Sequence, residues 1–226
     1  MRFAAWPRAL LLTPGAGSDR NHPSLLAIEA AVAPLAVARV DFPYRRAGRK
    51  RPDATSRMVA CVIEEAGALA ARAGVPPDQV VLGGRSMGGR MCSMAVAQGL
   101  RACGLVLIAY PLHPPGRPQQ VRTEHFANLA TPCLFISGTK DPFASPRELE
   151  DASAGITGPV THVWIEGAGH ELKGGNAAVA AAVRTWLTEH SPSPPDGPGP
   201  GVMDVEWGEP PNADAEDGSS LKPGSD

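Results

Sequence analysis

The sequence predicts an α/β fold in which about six mainly parallel strands lie between two layers of helices, as a doubly wound, three-layer sandwich. Two observations lead to this prediction. Apolar runs that end at glycine, proline or aspartate recur along the chain, and segments with helical periodicity separate them. The runs are apolar on both faces of the strand, which is typical of parallel sheets covered by helices on both sides.

The predicted elements alternate along the chain. The strands are, in order, RALLLTPG (8–15), VARVDFP (37–43), QVVLGG (79–84), GLVLIAYP (104–111), PCLFISG (132–138) and VTHVWIEG (160–167). The predicted helices cover about 24–33, 54–73, 88–99, 121–129, 146–154 and 175–190. In a sheet of this kind ligands bind beyond the carboxyl ends of the strands, so side chains at those ends are the candidate functional residues.

The chain divides after His190 into two regions of opposite charge. Residues 191–226 carry a formal charge of −7, whereas residues 1–190 carry +5. The C-terminal region is rich in proline, glycine and acidic residues, so it cannot bury enough surface to offset the entropy lost on ordering. We predict one domain over 1–190 and a disordered acidic tail over 191–226. The tail is interpreted as a solvated linker, with VMDVEW (202–207) as an alternative docking segment for a partner or for the basic domain.

Composition argues against several function classes. No apolar run approaches the roughly 18 residues of a membrane span, and ALLL (9–12) is too short for a signal-peptide core, so we expect a cytoplasmic protein without membrane contact. The basic stretches are short and aromatic residues make up only 5% of the chain, which argues against nucleic-acid binding. The cysteines lack CxxC pairing and neighbouring histidines, so we expect buried, reduced thiols and no metal site. These cysteines are Cys61, Cys92, Cys103 and Cys133.

Ser86 lies at the junction of the third predicted strand and the next helix, between Gly84 and Gly88. A turn this tight strains the serine backbone and is tolerated when the residues two before and two after it lack side chains. The serine hydroxyl then projects from the carboxyl edge of the sheet, toward the N–H groups at the helix start. The alternative, a phosphate-binding loop, lacks a following GK[ST] and does not fit the dinucleotide fingerprint. Ser86 is therefore the predicted nucleophile.

A serine nucleophile needs a general base and an acid that orients the base. Asp141 follows the fifth predicted strand and His170 follows the sixth, so both fall at the same sheet edge as Ser86 and in the order Ser, Asp, His. Taken singly, Asp141 could instead shape a turn before Pro142, and His170 could be a loop histidine. Together they predict a catalytic triad.

Acyl transfer also requires two hydrogen-bond donors for the developing oxyanion. The backbone N–H of Met87, directly after the nucleophile, is one candidate. The glycine-rich loop after the first strand supplies the other, the backbone N–H of Ala16, next to Gly17. A plain strand-to-helix turn is a compatible structural interpretation of the same loop.

Six motifs, in this order, connect the chain to a known family: PGAGSDRNHP (14–23), VDFPYRRAGRKRPD (40–53), GGRSMGGRM (83–91), YPLHPPGRP (110–118), SGTKDPF (137–143) and GAGHEL (167–172). Over residues 8–190 the chain resembles α/β-hydrolases of the small dienelactone-hydrolase-like group. That group includes bacterial predicted hydrolases and the testis-expressed and NSL chromatin-complex proteins of animals. The resemblance implies a minimal α/β-hydrolase fold with Ser86, Asp141 and His170 as the triad. This chain has Pro14-Gly15 where such enzymes usually have His-Gly.

Segment lengths and charges bear on the substrate. The connection from Tyr110 to Pro132 has room for one short helix, so we expect a lidless, open site suited to small or exposed acyl groups. Basic residues near the same edge could recruit a carboxylate- or phosphate-bearing substrate, although a solvated basic loop, or one paired with the acidic tail, is an equal alternative. The candidate substrate-binding residues are Arg45, Arg46, Arg85, Tyr110 and His113.

These features predict a cofactor-independent serine hydrolase. Ser86 would cleave a small-molecule ester, thioester or lactone through an acyl-enzyme, with His170 as general base and Asp141 orienting it. The alternative is a non-catalytic scaffold of the same fold whose acidic tail contacts a protein partner.

Overall fold

One sheet of six parallel strands forms the centre of the protein, in the order β2-β1-β3-β4-β5-β6. A computed structural model describes residues 7–189 of the chain. The strands are β1 (Ala9–Thr13), β2 (Ala36–Arg39), β3 (Val80–Arg85), β4 (Gly104–Ile108), β5 (Cys133–Gly138) and β6 (Val160–Ile165). The six strands predicted from apolar runs are therefore confirmed, and all of them are parallel. The predicted tail, 191–226, lies outside the described residues.

Helices cover both faces of the sheet. They are α1 (Pro23–Ala31), α2 (Pro43–Arg46), α3 (Thr55–Ala73), α4 (Met87–Ala97), α5 (Pro146–Ser153) and α6 (Asn176–Glu189). Local signals explain several of their ends: proline is the first residue of three helices, and α3 stops at Gly74, whose φ is 63°. The short α2 was not predicted from the sequence. None of the helices within 7–189 is long and apolar enough to cross a membrane.

The helix predicted over 121–129 is wrong. This segment contains only a 3₁₀ turn, Phe126–Asn128. The backbone N–H of Arg122 donates to the carbonyl of Leu112 at 2.8 Å, which ties the start of this segment to the chain just after β4. A helix of nine residues is too short to form without packing that favours it, so helical periodicity alone does not make this segment helical.

Alternating side chains of the strands supply two hydrophobic cores, one on each side of the sheet. In β1, Ala9 and Leu11 pack in the core that contains α3 and α4 side chains, whereas Leu10 and Leu12 pack in the core that contains α1 and α6 side chains. All four residues are completely buried. Burial of each leucine contributes roughly 1.5–3 kcal/mol. Strands that are apolar on both faces therefore hold the three layers together.

The order of the strands reverses beside β1. The chain goes from β1 outward to β2 and then returns to place β3 on the other side of β1, with Leu12 opposite Gly83 and Thr13 opposite Gly84. Connections after β1 and β3 therefore diverge to opposite faces and leave a crevice at the carboxyl ends of these strands. Ser86 and the loop that contains Ala16 follow these two strands directly.

Candidate active site

Ser86 occupies a sharp turn between β3 and α4. Its backbone has φ 51° and ψ −119°, a region that residues with a side chain rarely occupy and that costs on the order of 1–3 kcal/mol. The Ser86 N–H donates to the carbonyl of Ile108 in β4 at 2.7 Å, which anchors the turn to the neighbouring strand. The strained position is therefore held by the sheet on one side and by the start of α4 on the other.

The glycines on either side of Ser86 are required by close backbone approach. A Cβ atom on Gly88 would lie 2.5 Å from Thr13 Oγ1 and 2.6 Å from the carbonyl oxygen of Pro14. A Cβ atom on Gly84 would collide with the same Thr13 hydroxyl. The first turn of α4 thus packs directly on the end of β1, and this contact brings the nucleophile turn next to the loop that contains Ala16.

A chain of hydrogen bonds joins the three residues predicted as a triad. Ser86 Oγ lies 2.9 Å from His170 Nε2, and His170 Nδ1 lies 2.9 Å from Asp141 Oδ2 and 3.1 Å from Oδ1. When Nδ1 donates its proton to the carboxylate, Nε2 is left with a lone pair that accepts from the serine hydroxyl. The arrangement is suited to proton transfer from Ser86 to the imidazole.

The acid and the histidine are held in place by further contacts. The Asp141 side chain is fully buried, and its Oδ1 accepts the N–H of Phe143 at 2.9 Å. The Phe143 ring packs on the imidazole of His170, with 4.0 Å between ring centroids. Because the buried carboxylate is held by the Phe143 N–H, it can orient the imidazole and stabilise its charged form.

Arg85, at the end of β3, was predicted as a substrate-binding residue, but its guanidinium is already engaged. Its Nη2 donates to the carbonyl of His170 at 2.8 Å and to Glu171 Oε2 at 2.9 Å. The Arg85 side chain is 5% exposed, and it reaches the cavity wall only as part of this ion pair. Arg85 therefore connects the nucleophile strand to the histidine loop.

The two predicted oxyanion donors line the same cavity as Ser86. Met87 is the first residue of α4, so its N–H has no acceptor within the helix. In the loop after β1, the carbonyl of Gly15 accepts the N–H of Ser18 at 3.2 Å, and the carbonyl of Ala16 accepts the Tyr44 hydroxyl at 2.9 Å. These two bonds engage the carbonyls on either side of Ala16 and fix the orientation of the peptide that carries its N–H.

Tyr44 and Arg45, both in α2, hold this loop from its far side. Besides the Tyr44 bond, Arg45 Nε donates to the carbonyl of Ser18 at 2.9 Å. Arg45 was predicted to bind substrate, but the structure places it against the loop rather than on the cavity wall. The role of Tyr44 was not predicted, because only the packing of α2 beside the loop reveals it.

Three other candidate substrate-binding residues do not reach the cavity. Arg46 pairs with Glu65 at 2.6 Å. Tyr110 is completely buried, since its position at the end of β4 directs it into the core. His113 is 5% exposed, with Nδ1 2.9 Å from its neighbour's carbonyl oxygen. The structure thus corrects the predicted placement of all three.

The cavity over Ser86 has a volume of about 480 Å³ and no helical lid. Residues 109–132, which connect β4 to β5 and are all described, contain only the 3₁₀ turn. The wall is formed by Gly15, Ala16, Gly17, Ser18, Arg85, Ser86, Met87, Arg90, Pro111, Arg122, Phe143, His170 and Glu171. Arg122 was not predicted as a site residue, whereas the sequence already places Arg90, with Arg85, beside Ser86 among the basic residues considered for substrate binding. The position of Arg90 four residues after Ser86 in a helix is a signal that places both on one side of α4.

A second serine–histidine pair lies beneath the site. Ser93 Oγ is 2.8 Å from His125 Nε2. Ser93 is completely buried, and among residues 7–189 no carboxylate hydrogen-bonds the His125 ring. Burial, with the positive charge of Arg90, lowers the pKa of His125 to about 4. This pair therefore lacks both access to substrate and an orienting acid, and we interpret it as structural.

All four cysteines are buried, as predicted, and none of them forms a disulfide bond in the structure. Burial raises the pKa of Cys92, Cys103 and Cys133 to about 12, so none of these three is a thiolate at neutral pH. The part of the chain that the structure describes contains no group of three or more His, Cys, Asp or Glu side chains that could hold a metal ion.

Several solved structures share this fold at low sequence identity. Est1E from Butyrivibrio proteoclasticus superposes with a TM-score of 0.67 at 13% identity, over 82% of this chain and 88% of its own. The monoacylglycerol lipase of Paleococcus ferrophilus gives 0.66 at 16% identity, over 83% and 97%. An alpha-beta serine hydrolase homologue from Coxiella burnetii gives 0.59 at 19% identity, over 83% and 88%. At these identities the similarity establishes the fold alone.

The family assignment comes from the sequence itself. The sequence profile of the family described as the alpha/beta hydrolase domain matches residues 7–185, which include every strand of the sheet and the whole candidate site. With this match, and with a six-stranded parallel sheet covered by helices, the chain belongs to the alpha/beta hydrolase domain family.

Proposed function

We propose that the protein is a serine hydrolase that cleaves a small or exposed carboxylic ester, thioester or lactone through an acyl-enzyme on Ser86. The observation that carries the proposal is the continuous hydrogen-bond chain from Ser86 Oγ through His170 to the buried Asp141 carboxylate. This series of hydrogen bonds begins at a serine that is held in a strained turn and lines an open cavity.

The reaction begins when Ser86 Oγ attacks the substrate carbonyl carbon and its proton passes to His170 Nε2. Asp141 keeps Nδ1–H directed toward itself and stabilises the imidazolium that forms. The negative charge on the carbonyl oxygen is bound by the N–H groups of Met87 and Ala16. The protonated imidazole then gives its proton to the leaving oxygen or sulfur, the bond to the leaving group breaks, and the acyl-enzyme remains.

Hydrolysis of the acyl-enzyme repeats these steps with water. His170 Nε2 takes a proton from the attacking water, the tetrahedral intermediate forms in the same oxyanion site, and the proton returns to Ser86 Oγ as the acid is released. The bonds of Tyr44 and Arg45 to the Ala16 loop support this step, because oxyanion stabilisation requires donors that are fixed before the charge develops.

The shape of the cavity supports small or exposed acyl groups. With about 480 Å³, and with no α-helix between β4 and β5 in the part of the chain that the structure describes, the cavity favours short-chain substrates over long acyl chains that need an enclosed tunnel. Among the structural relatives, one is a monoacylglycerol lipase and Est1E has ferulic acid bound, which supports carboxylic-acid derivatives as the substrate class. The sequence resemblance to dienelactone-hydrolase-like proteins supports inclusion of lactones in the first substrate panel.

The proposal is tested with a fluorophosphonate probe, which phosphonylates activated serines, and with intact-mass detection of the adduct. We expect one adduct on the full chain, at Ser86, and none on Ser86→Ala or His170→Ala. A neutral short-chain p-nitrophenyl ester, assayed in parallel, should lose turnover in the same two variants.

The second serine–histidine pair provides the matched control. Ser93→Ala should keep the adduct, because Ser93 is buried and its histidine lacks an acid partner. If well-folded protein forms no adduct, or if the adduct persists in Ser86→Ala and disappears in Ser93→Ala, the assignment of Ser86 as nucleophile is wrong.

A further inference from the structure

Two arginines face the cavity without a counter-ion. Arg90 lies on α4 and Arg122 on the connection between β4 and β5, and both line the cavity that contains Ser86 and His170. Within residues 7–189 neither guanidinium has an ion pair or a hydrogen bond, and Arg90 Nε is buried without an acceptor. A buried guanidinium nitrogen without an acceptor is unfavourable, and a ligand that accepts its hydrogen bond would remove this cost.

Four other arginines near this edge of the sheet have partners. Arg85 pairs with Glu171 at 2.9 Å, Arg46 with Glu65 at 2.6 Å and Arg49 with Asp53 at 2.7 Å. Arg45 donates to a backbone carbonyl at 2.9 Å. Other arginines within residues 7–189 also lack a partner, but they are exposed to solvent, whereas Arg90 and Arg122 are half-buried in the cavity wall.

The surroundings do not neutralise the two charges. Burial lowers the pKa of Arg122, and the nearby charge of Arg90 lowers it further. His125 is neutral at pH 7, and Tyr110 is neutral because burial raises its pKa. Glu124 is the acidic residue that acts on both Arg122 and His125, but it makes no ion pair with Arg122 and is not part of the cavity wall.

We propose that Arg90 and Arg122 together bind an oxyanionic group, a carboxylate or a phosphate, that the substrate carries in addition to the bond cleaved at Ser86. This inference rests on the proposed hydrolase function and narrows its substrate class to anionic esters, such as half-esters of dicarboxylic acids. Guanidinium groups bind carboxylate and phosphate oxygens through charge-assisted, often bidentate, hydrogen bonds. Such a group would supply the missing acceptor of Arg90 and offset the repulsion between the two arginines.

A pair of substrates with one leaving group tests the proposal. Kinetics with p-nitrophenyl acetate and with the mono-p-nitrophenyl ester of succinic acid give the ratio of kcat/KM for the anionic to the neutral ester. We expect the ratio to fall by about 10-fold or more in Arg90→Gln and in Arg122→Gln, because each variant loses a hydrogen bond between charged groups. Arg90→Lys, which keeps the charge, should recover part of the ratio.

Arg147→Gln is the matched control, because its side chain is 91% exposed on α5 and outside the cavity wall. This variant makes the same change of charge and should leave the ratio as in the wild type. A ratio that is equal in the wild type, Arg90→Gln and Arg122→Gln overturns the proposal, as does an equal fall in Arg147→Gln.

A binding measurement separates this inference from the hydrolase proposal. The melting temperature of Ser86→Ala, measured with succinate or with inorganic phosphate at constant ionic strength, should rise with one of them and not with chloride. The anion that stabilises identifies the group as a carboxylate or a phosphate, and the rise should disappear when Arg90→Gln and Arg122→Gln are added. One outcome refutes the anion site alone: the fluorophosphonate labels Ser86, the kcat/KM ratio is the same in the wild type and the arginine variants, and neither anion raises the melting temperature. The opposite outcome refutes the hydrolase function and retains the anion site: the fluorophosphonate forms no adduct, but an anion raises the melting temperature and the rise depends on the two arginines.

Discussion

Replacement of Gly88 by alanine tests the claim that the nucleophile turn depends on close packing of α4 against β1. The new Cβ would lie 2.5 Å from Thr13 Oγ1 and 2.6 Å from the carbonyl oxygen of Pro14, whereas ordinary contacts begin at 3.4 Å. Relief of the overlap therefore needs a displacement of about 0.9 Å between the helix and the strand, which costs roughly 1–3 kcal/mol in a packed interior. Since Met87 lies on the helix and Ala16 in the loop directly after the strand, the proposed oxyanion donors move apart as well.

The expected result is a loss of both stability and reactivity. A displacement of about 1 Å in a catalytic group reduces the rate on the order of 100-fold, so we expect fluorophosphonate labelling of Gly88→Ala to be slower by about that factor. Urea denaturation followed by far-UV circular dichroism measures the free energy of unfolding, and the labelling rate is measured on the same preparation under native conditions.

Gly67→Ala in α3 is the control, because it is the same substitution inside a helix but has no atom within 4 Å of the added Cβ. Alanine there should raise the free energy of unfolding by about 0.5–1 kcal/mol through helix propensity and leave labelling unchanged. If Gly88→Ala is as stable as Gly67→Ala and is labelled at the wild-type rate, the explanation of the turn by steric exclusion is wrong.

Three further predictions concern the triad, the oxyanion loop and the dependence of stability on pH. Asp141→Asn should slow ester hydrolysis about 10³–10⁴-fold, because an amide favours the wrong His170 tautomer, and unchanged kcat would contradict the proposed role of the acid. Tyr44→Phe removes the hydrogen bond from the hydroxyl to the Ala16 carbonyl, so the free energy of unfolding should fall by about 0.5–1.5 kcal/mol. The kcat for a neutral ester should fall as well, and a kcat equal to that of the wild type would contradict the proposed role of Tyr44. The pKa of His125 is about 4 in the folded protein, whereas a histidine in the unfolded chain has its ordinary pKa of 6.5. Between these two pH values the unfolded chain binds more protons than the folded protein. The free energy of unfolding should therefore decrease as the pH falls from 6.5 to 4. Urea denaturation across this range should show a weaker decrease in His125→Gln, and identical slopes would refute the assignment.

The three residues proposed as a triad could be picked out from the sequence because their positions depend on the ends of strands. A strand apolar on both faces is identifiable from its run of residues, and parallel strands bring their carboxyl ends to one edge, so Ser86, Asp141 and His170 converge without knowledge of the loops. The structure brings these three residues within hydrogen-bond distance of one another. The tight turn predicted at Ser86 also requires residues without side chains at positions 84 and 88, and the close contacts of Gly84 and Gly88 explain that requirement.

The cavity wall could not be predicted in the same way, because it depends on packing between segments distant in sequence. The sequence-based prediction chose the basic stretch around Arg46, but α3 brings Glu65 within 2.6 Å of it and neutralises it. Arg122 belongs to a segment predicted as helical, but the segment contains only a 3₁₀ turn, and the place of Arg122 on the cavity wall depends on tertiary contacts such as its backbone bond to Leu112. Charge clusters in sequence indicate composition, whereas the balance of charge in a site depends on which acids lie opposite.

The bond from Arg85 to the histidine loop has a mechanical consequence. The proposed nucleophile and oxyanion donors lie at the start of α4 and just after β1 and β3, while the proposed acid and base lie on loops after β5 and β6, with β4 between the two groups. Twisting of the sheet at β4 would change the serine–histidine distance if the loops moved with their own strands alone. Because Nη2 of Arg85 donates to the carbonyl of His170, the histidine loop is tied to the end of β3 as well as to β6. A twist of the sheet at β4 therefore changes the distance between Ser86 and His170 less than it would without this bond.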